Sequence, residues 1–306
     1  MDRRDFLAAG IAAGATISAG IPSASAQDVE KSNASKFKLR YGPDLGTFRA
    51  HVGNDVIDNI KFAADQGFRA MFDNGLGGKP VELQEKIAAE IAKHDMKLGP
   101  YVVYPNFGDS NLMTRNKEAI DEFLKRIDGG KEVVKRTNCE GMLVVPGKVD
   151  QRWEHDYQTA NLIEVLRRAC EIVEKDKVMI VLEPLNRWDH PGQFLYGMPQ
   201  TYMICKAVNH PCCRIVDDMY HQQITEGNLI PNIDRSWDMI GAFHIGDNPG
   251  RREPGTGEIN YRNVFRHIYR KGFDGVLCCE HGRSKGGKEG ETAFIEAYRR
   301  ADSFEA

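Results

Sequence analysis

Apolar residues in this chain gather in short runs, each followed by a longer stretch in which they recur every three or four positions. The first pattern fits a buried strand and the second an amphipathic helix. Strands are expected at residues 39–44, 69–73, 97–104, 141–146, 178–184, 214–218, 240–245 and 276–280. Helices are expected at 56–66, 81–94, 117–136, 157–175, 198–209, 261–271 and 289–301, with 228–237 the least regular stretch. Successive strand ends lie 26 to 42 residues apart, the period of a repeated βα unit.

Eight such units suit either a closed barrel or a doubly wound open sheet. An open sheet gathers its polar residues at one switch point, usually with a glycine-rich phosphate loop. Here polar residues recur at strand ends along the whole chain, and neither Leu76-Gly77-Gly78-Lys79 nor 284–288 has phosphate-loop spacing. The expected fold class is therefore α/β, a (β/α)8 TIM barrel over 37–306, preceded by a polar linker at 27–36.

The first residues read differently. Asp2-Arg3-Arg4-Asp5-Phe6-Leu7 is a twin-arginine signature, followed by an uncharged run from Ala8 to Ile21 and an Ala24-Ser25-Ala26 cleavage pattern. The run is shorter than the about 20 apolar residues a membrane span needs. Residues 1–26 are read as an export signal to the periplasm, with no membrane anchoring after cleavage. The net charge of −3 and the scattered basic residues offer no surface for nucleic acid. A homo-oligomer is compatible with this composition. Seven cysteines, two pairs of them adjacent, make a poor disulfide framework and are read as small buried apolar residues.

Four segments of the second half end in side chains that bind metals: 178–183 in Glu183, 214–218 in Asp218, 240–244 in His244 and 275–280 in Glu280. Strand alternation places Met179, Val181 and Glu183 on one face, as it does Val216 and Asp218, Ala242 and His244, and Cys278 and Glu280. Four ligands at the carboxyl ends of neighbouring strands could hold one divalent ion. Carboxylate oxygens with one imidazole suit Mg²⁺, Mn²⁺ or Co²⁺ better than a thiolate-rich zinc site. Asp217 has the opposite parity and is read as structural, although a bulge would exchange it with Asp218.

Glu183-Pro-Leu-Asn186, Asp218-Met-Tyr-His221 and the run from His244 through Arg251 to Pro254-Gly-Thr-Gly-Glu-Ile-Asn-Tyr261 resemble the hydroxypyruvate isomerase family, within the xylose isomerase-like TIM barrels. The resemblance implies that Glu183, Asp218, His244 and Glu280 ligate the ion. It makes Glu183 and Glu280 an acid/base pair and has His221 and Arg251 contact substrate oxygens. Trp188 and Asp189 are similar to the stretch where ketose epimerases place a substrate-facing acid. His244 also departs toward the epimerases, because hydroxypyruvate isomerases tend to carry Gln there.

The chemistry suits these residue types. Moving a proton between adjacent carbons of a hydroxy-carbonyl compound needs a base at carbon and an electrophile at the oxygens. The expected function is a divalent-metal-dependent isomerase of an α-hydroxy carbonyl acid or sugar, working through an enediolate. The alternatives are a ketose 3-epimerase, an exported lyase or isomerase of 3-keto-glycosides, and a sugar-binding barrel without catalysis. An endonuclease IV-type enzyme is disfavoured, since its trinuclear zinc site needs more histidines. Tyr41, Asp44, Phe48 and Tyr104 are further candidates for the barrel mouth. Arg251 has an alternative partner in Glu253, His281 reads as exposed or one layer removed from the ion, and His51, His94, His155, His190, His210 and His267 read as surface residues.

Overall fold

The computed structural model describes residues 34–109 and 112–305, so the export signal expected at 1–26 lies outside the described residues. The strands are β1 (Arg40–Gly42), β2 (Ala70–Met71), β3 (Lys97–Leu98), β4 (Tyr101–Pro105), β5 (Gly141–Val145), β6 (Met179–Leu182), β7 (Cys213–Asp218), β8 (Ile240–His244) and β9 (Val276–Cys278). All pair in parallel, in the order β1-β9-β8-β7-β6-β5-β4, with β2 paired to β3. Backbone bonds continue the ring: Phe72 N–H donates to Pro43 O (3.0 Å), Gly99 N–H to Met71 O (2.9 Å) and Glu140 N–H to Leu98 O (2.8 Å). The third expected strand is broken into β3 and β4 at Gly99-Pro100. Proline has no N–H for the ladder, and a Cβ on Gly99 would meet the Cys278 sulfur at 2.7 Å.

Seven helices fall where the apolar period placed them: α2 (Val56–Asp65), α3 (Val81–Lys93), α4 (Lys117–Thr137), α5 (His155–Val173), α6 (Met198–Val208), α9 (Tyr261–Arg270) and α10 (Gly287–Ala301). The irregular stretch forms α8 (Leu229–Ser236), and the pattern missed the short α1 (Arg49–Val52) and α7 (Met219–Thr225). Asp55, Asn116 and Asn260 accept backbone N–H bonds at the starts of α2, α4 and α9, satisfying donors that a helix leaves unpaired.

Alternation along the strands separates two cores. Leu143, Val145, Val181, Leu185, Val216 and Ala242 fill the barrel interior, while a larger shell joins the sheet to the helices. Cys278 packs inside with Ala70, Phe72 and Val276, and Cys279 lies in the outer shell, as parity predicts. Tyr41, Phe48 and Tyr104 do not line the mouth; they are buried in the outer shell. Tyr41 donates to Asp302 (3.0 Å), and Tyr104 packs edge-on against Phe123 with ring centroids 4.9 Å apart. Asp44 is taken up locally, accepting the Gly46 N–H (2.8 Å).

At the end of α7, Glu226 Oε1 accepts the Met198 N–H (2.8 Å) at the first residue of α6. Burial pushes the Glu226 carboxyl up to about 7 from 4.5. The folded chain thus keeps a proton that the unfolded chain releases, so this contribution is full below about pH 4.5 and is lost as pH rises through about 7. Glu226→Gln retains the acceptor and removes the ionisation. Solvent screening of this partly exposed carboxyl reduces the contribution to about 1 kcal/mol, so calorimetry should find the variant melting roughly 2–4 °C above wild type at pH 8 and level with it below about pH 4.5. An equal shift at both pH values would show that ionisation of Glu226 is not the cause.

Candidate metal centre

Four strand ends deliver the expected cluster. Glu183 follows β6, Asp218 ends β7, His244 ends β8 and Glu280 stands two residues past β9. One ligand atom from each lies within 4.8 Å of the others. His244 Nδ1 is central, 2.9 Å from Glu280 Oε2, 3.2 Å from Glu183 Oε1 and 3.9 Å from Asp218 Oδ2. The register of β7 against β8 does shift, between Ile215 and Val216, yet it is Asp218 that joins the cluster. Asp217 points away, fully buried, and burial followed by the nearby Asp218 and Glu226 raises its carboxyl well above the usual range.

Asp218 does two jobs at once. Its Oδ1 accepts the N–H groups of Tyr220 (2.8 Å) and His221 (3.0 Å), capping α7, while Oδ2 faces the cluster. Arg251 Nη2 reaches Asp218 Oδ2 (2.7 Å) and Glu280 Oε2 (2.6 Å), so here it pairs with the cluster. Its backbone is left-handed at φ 48°, held by a loop built on buried Asp247, which accepts the N–H groups of Asn248, Gly255 and Ile259. The alternative partner Glu253 is occupied by Ser284 instead.

Burial works against every charge in this cluster, and the neighbours decide the outcome. Burial alone would lower the His244 pKa, but Glu280, Cys278 and Glu183 hold it well above the ordinary imidazole value. Burial alone would raise Glu280, but His244, Arg251 and Asn74 hold it well below the carboxylate range. Asp218 is likewise lowered against its burial, by His221 and Arg251. Three carboxylates this close together, two of them buried and Glu280 partly so, require positive charge. A hard divalent cation fits that demand and this donor set.

The other expected contacts surround the cluster. His221 Nε2 lies 3.8 Å from Asp218 Oδ2 without a hydrogen bond. Asp189 Oδ2 accepts from Tyr220 Oη (2.7 Å) and Asn186 Nδ2 (2.9 Å), and Asn186 is the main cause of its lowered pKa. Trp188 is in the same loop, 72% exposed. His190 is not a plain surface residue: it is half-buried between Phe107 and His221, with ring centroids 5.5 and 5.3 Å away. His281 turns from the cluster, with Nε2 2.8 Å from Tyr298 Oη, and burial lowers its pKa to about 4. The sequence did not single out Asn74, whose Nδ2 donates to Glu280 Oε1 (2.5 Å), or Asp247. A lone amide after a strand carries no ligand signal, although Asn74 directly follows the strand-end Asp73.

The profile described as "Xylose isomerase-like TIM barrel" matches residues 60–302, most of the chain. The chain belongs to the xylose isomerase-like TIM barrel family. Within this family, it is 36% identical over 149 residues to hydroxypyruvate isomerase of Escherichia coli, an overlap of 48% of this chain and 55% of that protein. The chain thus spans about half the length of that relative. It is 27% identical over 252 residues to a putative hydroxypyruvate isomerase of Danio rerio, covering 79% of this chain and 89% of that one. A 2-oxo-tetronate isomerase of Pectobacterium atrosepticum is 27% identical, covering 74% and 86%. Among solved structures, an AP endonuclease, family 2, from Brucella melitensis superposes with TM-score 0.71 at 21% identity, covering 84% of this chain and 98% of that one. A 3-keto-D-glucoside 4-epimerase from Escherichia coli gives 0.70 at 19% identity, covering 87% and 100%. At these identities the structural likeness establishes the TIM barrel alone.

Proposed function

We propose that this TIM barrel is a divalent-metal-dependent isomerase that moves a proton between adjacent carbons of an α-hydroxy carbonyl acid or sugar. The observation that carries this reading is the convergence of Glu183 and Glu280 on His244 Nδ1 from separate strands, with Asp218 completing the set. Sugar binding alone needs no such pair of carboxylates, Glu183 buried and Glu280 partly buried, around one imidazole. The names of the relatives, hydroxypyruvate and 2-oxo-tetronate isomerases, support the same chemistry.

Glu183, Asp218, His244 and Glu280 would hold the ion. When bound, a divalent ion supplies Lewis-acid polarisation of the substrate's carbonyl and hydroxyl oxygens. The chain's own residues do the rest. One of Glu183 and Glu280 takes the proton from carbon and the other returns one to the neighbouring carbon. His221 and Arg251 orient the oxygens, and Asp189 engages a more distant hydroxyl.

A longer substrate, such as a ketose or 3-keto-glycoside, is the second reading. Exposed Trp188, beside Asp189, offers an apolar face for additional sugar carbons. Metal-loaded protein should be incubated in D₂O with hydroxypyruvate, 2-oxo-tetronate, ketoses and 3-keto-glycosides, and exchange followed by NMR. Deuterium is expected at a carbon bearing a hydroxyl or carbonyl neighbour in at least one class. Exchange in none of them would defeat both readings.

Export is a separate proposal that rests on Arg3, Arg4 and the apolar run after them. Arg3→Lys with Arg4→Lys should leave active enzyme in the cytoplasm. Cell fractionation that finds the variant in the periplasm would mean the segment is not a twin-arginine signal.

A further inference from the structure

Asn186 sits at the junction of three groups that the proposed reaction uses. Its Oδ1 accepts the backbone N–H groups of Trp188 (3.0 Å) and Asp189 (2.9 Å), which identifies the oxygen end of the amide from the bonding pattern. The nitrogen end then faces Asp189 Oδ2 at 2.9 Å and His221 Nδ1 at 2.7 Å. The backbone N–H of Asn186 also points to His221 Nδ1, at 3.3 Å.

Two N–H donors meeting one ring nitrogen require that nitrogen to present its lone pair. That excludes an Nδ1–H tautomer and equally a doubly protonated ring. A neutral imidazole carries one proton, so the proton is on Nε2. This nitrogen is buried, lacks a hydrogen-bond partner and lies beside the ligand cluster. An N–H there can give a hydrogen bond to an oxygen but cannot coordinate a cation or accept a proton.

We propose that Asn186 is a positioning residue that locks His221 as the Nε2–H tautomer, making it a hydrogen-bond donor to a substrate oxygen. The substrate half of this statement rests on the isomerase reading; the tautomer rests on the bonds alone. Asn186 also anchors Asp189, which in turn accepts from Tyr220 beneath the Arg251 guanidinium, 5.0 Å from the Tyr220 ring centroid. One amide therefore sets the protonated edge of His221 and the position of Asp189 together.

The test is the ¹⁵N NMR signature of His221 in the labelled, metal-loaded chain, assigned by its loss in His221→Gln. Wild type should show an unprotonated Nδ1 and a protonated Nε2. Asn186→Asp keeps the acceptor for Trp188 and Asp189 but replaces the Nδ2 donor with an acceptor. In this variant Nδ1 should become protonated while metal content stays near wild type. Turnover of a substrate found by deuterium exchange should fall by roughly 10- to 100-fold, the loss expected for one misdirected buried hydrogen bond. Asn186→Ser, which keeps the turn acceptor without a second carboxylate beside Asp189, should give mixed tautomers and serves if the Asp variant fails to fold. A protonated Nδ1 in wild type, or wild-type ¹⁵N shifts in both variants, would overturn the proposal. The shifts are read without substrate, so a blank exchange screen would defeat the isomerase reading separately.

Discussion

Glu280→Gln and Glu183→Gln should each lower turnover by ~10²–10⁴, the range for loss of a general acid or base, while leaving the barrel folded. The two sites differ in how firmly the carboxylate is held. Glu280 is gripped by Asn74, Arg251 and His244, whereas Glu183 meets His244 across the cluster at 3.2 Å. A Gln at position 280 can still accept from Arg251 through its oxygen, but its NH₂ group would face the Asn74 NH₂ group. Asn74 can relieve this, because its Oδ1 has no hydrogen-bond partner and a flip of the amide turns a donor into an acceptor. The fold should therefore tolerate either substitution, and the loss should appear in kcat. An amide oxygen still ligates, so part of the metal affinity should remain. Metal content, thermal melting and turnover measured together decide the matter. If either variant retains full metal occupancy and near wild-type turnover, that carboxylate is a ligand only and the two-base scheme fails.

Chelation should remove one divalent ion per chain, abolish turnover, and lower the melting temperature by roughly 5–10 °C. The size follows from linkage: an ion present at a hundredfold excess over its dissociation constant stabilises by about 2.7 kcal/mol, and a domain of this length melts about 2–4 °C higher per kcal/mol. The cause is electrostatic. Glu183, Asp218 and Glu280 are brought together with little water to screen them, and Arg251 and His244 are the cationic partners at hand. Adding back Mg²⁺, Mn²⁺ or Co²⁺ should restore both properties. Asp218→Asn should fall between the two states, since an amide oxygen at Oδ1 can still cap α7 while the charge facing Arg251 is lost. Metal analysis that finds two or three ions per chain, or a melting temperature unmoved by chelator, would rule out a single stabilising ion.

The alternation of apolar and polar positions made the barrel legible because both periods survive any packing arrangement. Strands put Val181 and Glu183, or Val216 and Asp218, on one face whatever surrounds them, and the four candidate ligands follow from that parity. Their convergence needed only the rule that parallel strands open at one end. Parity pointed to Asp218 over Asp217, but a register shift lies in that very strand, so only the structure fixed which of the two joins the cluster. Nor could it tell that Tyr41, Phe48 and Tyr104 belong to the outer shell, because an aromatic at a strand end looks the same whether it packs against a helix or a ligand.

The layer around the ligands was decided by tertiary structure. Asn74 bonds Glu280 across 206 residues and Asn186 bonds His221 across 35; neither separation has a local period that could reveal it. Arg251 was expected near the cluster but not as the partner of both Asp218 and Glu280, which depends on the left-handed turn beside buried Asp247. Strand alternation is a property of one segment and is written in its sequence. Hydrogen bonds between loops exist only after the barrel has closed and set their distances, so the four clustered side chains could be read in advance and the groups bonded to them could not.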